Sequence, residues 1–126
     1  MQLRDDLPTI HYPGIWGFFG GHMEAEESPE SSLRRELIEE VNYAPTQIKL
    51  FCEGESIGYR RYYYYGELAV PLSQLQLNEG QDMALCSVAE VRLGQKYSRK
   101  LSEMRSLGGP HRQVLLDFIE SGLVSL

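Results

Sequence analysis

Gly21-His22-Met23-Glu24-Ala25-Glu26-Glu27-Ser28-Pro29-Glu30-Ser31-Ser32-Leu33-Arg34-Arg35-Glu36-Leu37-Ile38-Glu39-Glu40-Val41-Asn42-Tyr43 is the stretch on which the reading of this chain turns. Ser28-Pro29 announces a helix: the serine hydroxyl can cap a free N–H, and proline suits the first helical position, where no donor is needed. Glu30 in the first turn faces the positive end of the helix dipole. Leu33, Leu37 and Val41 recur four apart and make a core-facing stripe, which leaves Arg34, Arg35, Glu36, Glu39 and Glu40 on the remaining surface. The helix should stop at Asn42, because asparagine tolerates the left-handed C′ conformation second only to glycine.

Seven glutamates fall between residues 24 and 40, and spacing decides which of them can cooperate. At positions i, i+3 and i+4, Glu36, Glu39 and Glu40 share one helix face. Exposed like charges so placed cost a few tenths of a kcal/mol per pair, roughly, and raise one another's pKa unless a cation collects the oxygens. Mg²⁺ suits that task, since it seeks oxygen and keeps several waters and phosphate oxygens in its shell. An acidic helix face alone is more often a solvated surface than a metal site.

The company these residues keep resembles the Nudix hydrolase signature, G-x₅-E-x₇-R-E-U-x-E-E-x-G-U, with U aliphatic. Gly21, Glu27, Arg35, Glu36, Leu37, Glu39 and Glu40 stand at its positions with both spacings kept, so the box covers residues 21–43. Asn42 replaces the family's glycine, which helix capping tolerates, and Tyr43 replaces an aliphatic residue. Upstream, Trp16-Gly17-Phe18-Phe19-Gly20-Gly21-His22-Met23-Glu24 is similar to the family's W-x-x-P-G-G-x-x-E lead-in, with Phe19 in the proline's place. Downstream, Asn78-Glu79-Gly80-Gln81 resembles the loop that brings a further glutamate to the metal in mutator-type members.

The resemblance implies an α/β/α sandwich with a mixed sheet between helices. It also implies Mg²⁺-dependent, or Mn²⁺-dependent, hydrolysis of a nucleoside diphosphate linked to a moiety X. Under it Glu36, Glu39 and Glu40 bind metal with help from the Gly20 carbonyl. Arg35 and Glu27 form a supporting ion pair that orients the helix carboxylates. Glu39, Glu40 or Glu79 takes the proton from the attacking water, with Glu79 alternatively an extra ligand or an exposed turn residue. The family usually has a complete strand before the segment that Gln2-Leu3-Arg4-Asp5 matches, so a sheet edge would be left unpaired. Either the native chain starts upstream or a second subunit, as in a homodimer, covers that edge.

Working outward, 126 residues with 42% hydrophobic and 24% charged side chains suit one compact domain over residues 1–126. No apolar run approaches the ~20 residues of a membrane span, and Met1 to Asp6 lacks the hydrophobic stretch of a secretory signal, so a cytoplasmic protein without membrane partners is expected. The net charge of −6 argues against binding nucleic acid polymers, which needs a field of basic residues. That charge is uneven: residues 1–90 carry 6 basic and 15 acidic side chains, residues 91–126 carry 6 and 3. Cys52 and Cys86 lack zinc or redox spacing and read as buried reduced thiols.

Further elements follow from pattern. Ile15 to Phe19 reads as a short strand entering a glycine turn, Ile48 to Cys52 and Tyr59 to Val70 as strands, and Met83 to Cys86 as another. A brief helix starts at Ser87. Pro110 to Ser121 reads as an amphipathic helix with Val114, Leu115, Phe118 and Ile119 inward. Trp16 and Tyr62-Tyr63-Tyr64-Tyr65 are packing residues first and base-stacking candidates second, since strand alternation sends half of the tyrosines to each face. His22 reads as a solvent-facing linker residue, and His11 and His111 show no catalytic spacing. Arg92, Lys96, Arg99, Lys100 and Arg105 read as a solvated helix face or as a field that guides an anion. Two rivals to the enzyme stay open: a nucleotide-sensing module without turnover, and a scaffold whose acidic helix meets a basic partner.

Overall fold

A computed structural model describes residues 1–9, 12–56 and 58–123. In chain order its elements are β1 (Gln2–Leu3), β2 (Trp16–Gly17), α1 (Pro29–Val41), β3 (Lys49–Ser56), β4 (Tyr59–Tyr65), β5 (Asp82–Met83), α2 (Val88–Leu93), β6 (Gln95–Ser98), β7 (Glu103–Ser106) and α3 (Gly109–Glu120), with a turn of 3₁₀ helix at Leu72–Gln74. Helices and antiparallel sheets mix as the expected α/β class requires. The chain divides into two compact units, residues 1–19 with 77–126 and residues 20–76. Among the described residues, no helix is long and apolar enough to cross a membrane.

The first unit holds the core of Leu3, Trp16, Val91 and Leu107, against which Leu115, Leu116 and Ile119 of α3 pack. β1 is the middle strand of the order β2-β1-β5, antiparallel to both neighbours, so the short Gln2–Leu3 ladder lies inside its sheet. The parallel contact expected of a mixed sheet is an isolated bridge between Trp16 and Leu107. Trp16 is fully buried and its indole N–H donates to the Lys96 carbonyl at 3.0 Å, which satisfies the ring's one polar atom. α2 starts as expected at Ser87, through a reciprocal capping box with Glu90, a device worth about 1 kcal/mol.

The hairpin of β6 and β7 corrects the reading of the basic stretch as a helix face. Lys96 sits on β6, Arg105 on β7, and Arg99 and Lys100 in the turn between them. Pairing across the hairpin won over helical spacing because the Gly94 left-handed cap ends α2 (φ 80°) just before Lys96. Lys96 is not solvated: only 8% exposed, it donates to both Glu90 oxygens at 3.1 and 3.0 Å. β5 also covers less than Met83 to Cys86, as the chain leaves the ladder to place Ser87 as the cap of α2.

The second unit is α1 with the β3–β4 hairpin. Ser28 caps α1 by accepting the Ser31 N–H at 3.1 Å, Pro29 opens it, and Asn42 closes it in the left-handed region at φ 57°. The Val41 side chain is buried, Leu33 and Leu37 are half-buried, and the remaining buried positions are polar, Ser32 and Glu40. Arg34 fastens the helix to the following loop by donating to the carbonyls of Pro45 at 2.7 Å and Thr46 at 3.0 Å. β3 runs on to Ser56 after a bulge between Leu50 and Cys52, because Glu53 to Ser56 find partners in Tyr59 to Tyr62.

β4 ends at Tyr65 and not at Val70. A side chain at Gly66 would meet the Gln47 carbonyl at 2.8 Å. Beyond it, Tyr43 takes over the backbone: its hydroxyl accepts from the Ala69 N–H at 3.2 Å and donates to the Glu67 carbonyl at 3.5 Å. The residue that departs from the aliphatic position of the signature thus replaces strand pairing with two side-chain bonds.

Candidate active site

The site is built where the Gly20-Gly21 turn and the Glu24–Glu27 loop meet α1. Glu24 donates its N–H to the Glu27 carboxylate at 2.7 Å, closing the loop. The same carboxylate receives Arg35 through two parallel bonds, Nε to Oε2 at 2.7 Å and Nη2 to Oε1 at 2.9 Å. This is the geometry in which a guanidinium fixes a carboxylate most firmly. The hydrogen bonds from Arg35 hold the Glu27 carboxyl below its usual range, and the same bonds raise Arg35 further above its own.

Arg35 does more than pair with Glu27. Its Nη1 lies 3.0 Å from Glu36 Oε1, 3.3 Å from Glu39 Oε1 and 3.7 Å from Glu24 Oε1. One guanidinium therefore serves four carboxylates. Glu40 is 4% exposed, and its Oε2 accepts the Gly20 N–H at 3.0 Å. The Glu36 carboxylate lies so close to Gly21 that a Cβ there would meet its oxygens and carbon at 2.5 to 2.8 Å. That explains on steric grounds why the signature begins with a glycine.

Whether these residues suit a metal ion turns on their donors and on where they point. Among the described residues, no three His, Cys, Asp or Glu side chains stand in position to hold an ion together. Glu36 and Glu39 are instead focused on one Arg35 nitrogen, and Glu40 on a backbone N–H. The donor set fits a hard divalent cation, since carboxylate oxygens from one helical turn are what such ions take. A positive centre is already what draws two of them together, but it is the arginine.

The other candidates fall elsewhere. Glu79 belongs to the first unit, where its carbonyl accepts from the Gln2 amide at 2.9 Å while its exposed carboxylate has no partner among the described residues. His111 is a packing residue with a partner: it stacks on Phe18 at 4.4 Å and its Nδ1 accepts the Phe18 N–H at 2.9 Å. His22 is exposed, as a linker residue would be, yet its ring meets Tyr59 at 4.9 Å. Trp16 is core. His11 lies outside the described residues. Cys52 and Cys86 are half-buried thiols, and burial pushes the Cys86 thiol up. Sequence reading missed Glu24 as a partner of Arg35; its offset from the signature Glu27 by one turn was the available signal.

A family model described as NUDIX domain matches residues 3–105. An 8-oxo-dGTP diphosphatase of Proteus vulgaris is 48% identical over 40 residues, which are 32% of this chain and 36% of that protein. The matched stretch thus spans about a third of the relative's length. No solved structure matches.

Proposed function

The chain belongs to the NUDIX domain family, and from that premise we propose that it is a hydrolase of the diphosphate linkage in a nucleoside diphosphate joined to a moiety X. It would work in the cytoplasm on small nucleotide-derived molecules. The family match runs through both compact units, which supports treating residues 1–126 as one domain. The activity named for the Proteus vulgaris relative makes an oxidised nucleoside triphosphate the first substrate to try, followed by nucleotide sugars and ADP-ribose.

The observation that carries the reading is the charge imbalance around Arg35: one guanidinium within 3.7 Å of Glu24, Glu27, Glu36 and Glu39. That anionic excess calls for a further cation, and we assign Mg²⁺, or Mn²⁺, to Glu36, Glu39 and Glu40 with the Gly20 carbonyl. Bound there, the ion would neutralise the charge that protects a diphosphate from attack. The chain's own part is positioning. Arg35 and Glu27 hold the helix carboxylates in place, the Gly20 N–H holds Glu40, and Glu39 or Glu40 accepts the proton of the attacking water. Glu79 is the alternative acceptor, on the strength of the loop resemblance.

A sensor without turnover is the second reading, and the engagement of Glu36, Glu39 and Glu40 with donors of this chain is what favours it. Release of nucleoside monophosphate over the substrate panel with Mg²⁺ separates the two. Turnover by the wild type, lost in Glu39→Gln and Glu40→Gln, supports the enzyme. Nucleotide binding with no release from any substrate overturns it.

A further inference from the structure

β4 carries two adjacent arginines that the hairpin treats differently. Alternation places Arg60 with Tyr62 and Tyr64 on one face, and Arg61 with Tyr59 and Tyr63 on the other. Opposite Arg60 stands Glu55, and next to it Glu53, so Arg60 is neutralised at 3.8 and 3.1 Å and its guanidinium lies 6.0 Å from the Tyr62 ring centre. Opposite Arg61 stands Gly54, which offers no side chain. Tyr63 leans across that gap, its ring edge 3.9 Å from where a Gly54 Cβ would be. The Arg61 side chain is half-buried and has no hydrogen bond, ion pair or ring contact among the described residues, in a chain with 18 acidic side chains.

A half-buried guanidinium without a counter-charge has lost water and gained nothing in return, an arrangement that favours an incoming anion. Its neighbours on that face of β4 are aromatic, and Tyr59 leads back to the glutamate helix through two contacts. The Tyr59 ring meets His22 at 4.9 Å, and the His22 carbonyl accepts from Arg35 at 3.4 Å. A ligand with charge at one end and a flat ring at the other would find a partner for each.

We propose that Arg61, flanked by Tyr59 and Tyr63 over Gly54, grips a phosphate of the bound nucleotide, with the tyrosine rings available to its base. The assignment rests on the nucleotide reading above and adds to it the residue that holds the substrate away from the carboxylates. Arg61 is a binding group, and it takes no part in the proton transfers.

Calorimetric titration in EDTA with α,β-methylene GTP, whose bridge cannot be hydrolysed, tests it without turnover or metal. Arg61→Gln should weaken binding about 10- to 100-fold, the range for losing hydrogen bonds to a charged group. Arg61→Lys, which keeps the charge and the stem but not the planar fork, should fall between; it also serves if the glutamine variant does not fold. Arg60→Gln should bind as the wild type does. Equal losses at Arg60 and Arg61 would reduce the effect to net charge and overturn the proposal, as would unchanged binding in Arg61→Gln or no binding by the wild type. Inorganic pyrophosphate as a second titrant locates the grip: a loss shared with the analogue supports a phosphate contact, and a loss confined to the analogue overturns it. Failure of the hydrolase reading would look different, as a wild type that binds the analogue through Arg61 yet releases no nucleoside monophosphate from any substrate of the panel.

Discussion

Lys96 and Arg35 are both cations held by glutamate, and they are held in opposite ways. Lys96 is 8% exposed and meets one carboxylate, Glu90, through both oxygens, with the Trp16 ring centre 5.7 Å from its ammonium. Charge there is balanced one to one. Burial pushes the Glu90 carboxyl up, but the bonds from the Ser87 N–H and Lys96 outweigh it and leave the group below its usual range. Arg35 is shared among four carboxylates, two of which, Glu24 and Glu39, are 71% and 58% exposed at the side chain. A closed pair completes a fold. An open, overcharged one leaves affinity for something further, and that contrast separates scaffold from site more surely than burial does.

The comparison can be broken at several points. The largest expected effect is at Glu40: Glu40→Gln should lower kcat by a factor on the order of 10² to 10⁴, the usual share of a positioned base, as read by release of nucleoside monophosphate. A loss as large in Lys96→Met, with the fold intact, would erase the distinction between the two cations. Cation binding is next. Mg²⁺ at a hundredfold excess over its Kd should stabilise the wild type by about 2.7 kcal/mol, seen as a shift in thermal unfolding. The shift should be absent in the triple Glu36→Gln, Glu39→Gln, Glu40→Gln variant.

Lys96→Met should destabilise the protein by about 2 kcal/mol. This is less than a fully buried pair would lose, because the partly exposed Glu90 can be rehydrated; denaturant unfolding measures it. Smaller is the pH effect of Glu27. Its folded pKa lies below its unfolded one, so the stability it adds is present above the unfolded carboxylate range and is lost as pH falls through the folded value. Thermal unfolding between pH 6 and pH 3 should therefore decline less steeply in Glu27→Gln than in the wild type. Smallest of all, Asn42→Gly should stabilise by about 0.5 kcal/mol, since φ 57° is free of strain for glycine alone.

Much of α1 was legible beforehand, because its signals are local. The Ser28 cap, Pro29 and the Asn42 stop lie within or beside one helix, where spacing alone fixes geometry, whereas the Arg35–Glu27 pair was legible only through the family resemblance. The start of α2 at Ser87 was legible for the same reason. The β6–β7 hairpin was not: Lys96, Arg99 and Lys100 keep a spacing that suits a helix, and only pairing with Glu103 to Ser106 decides against it. The end of β4 was hidden too, since the bonds that replace the ladder come from Tyr43, more than 20 residues earlier.

The sequence by itself determined the acidic helix, its ends, and the family to which 23 residues of signature assign the chain, because periodicity, capping and motif spacing act over a few residues. Only the tertiary structure decided which charges are spent and which are left over. Lys96 is consumed by Glu90, Arg60 by Glu53 and Glu55, while Arg35 is oversubscribed and Arg61 is unclaimed among the described residues. Formal charge is written in the residues, but its compensation depends on which side chain stands opposite, and that is settled by strand register and turn geometry.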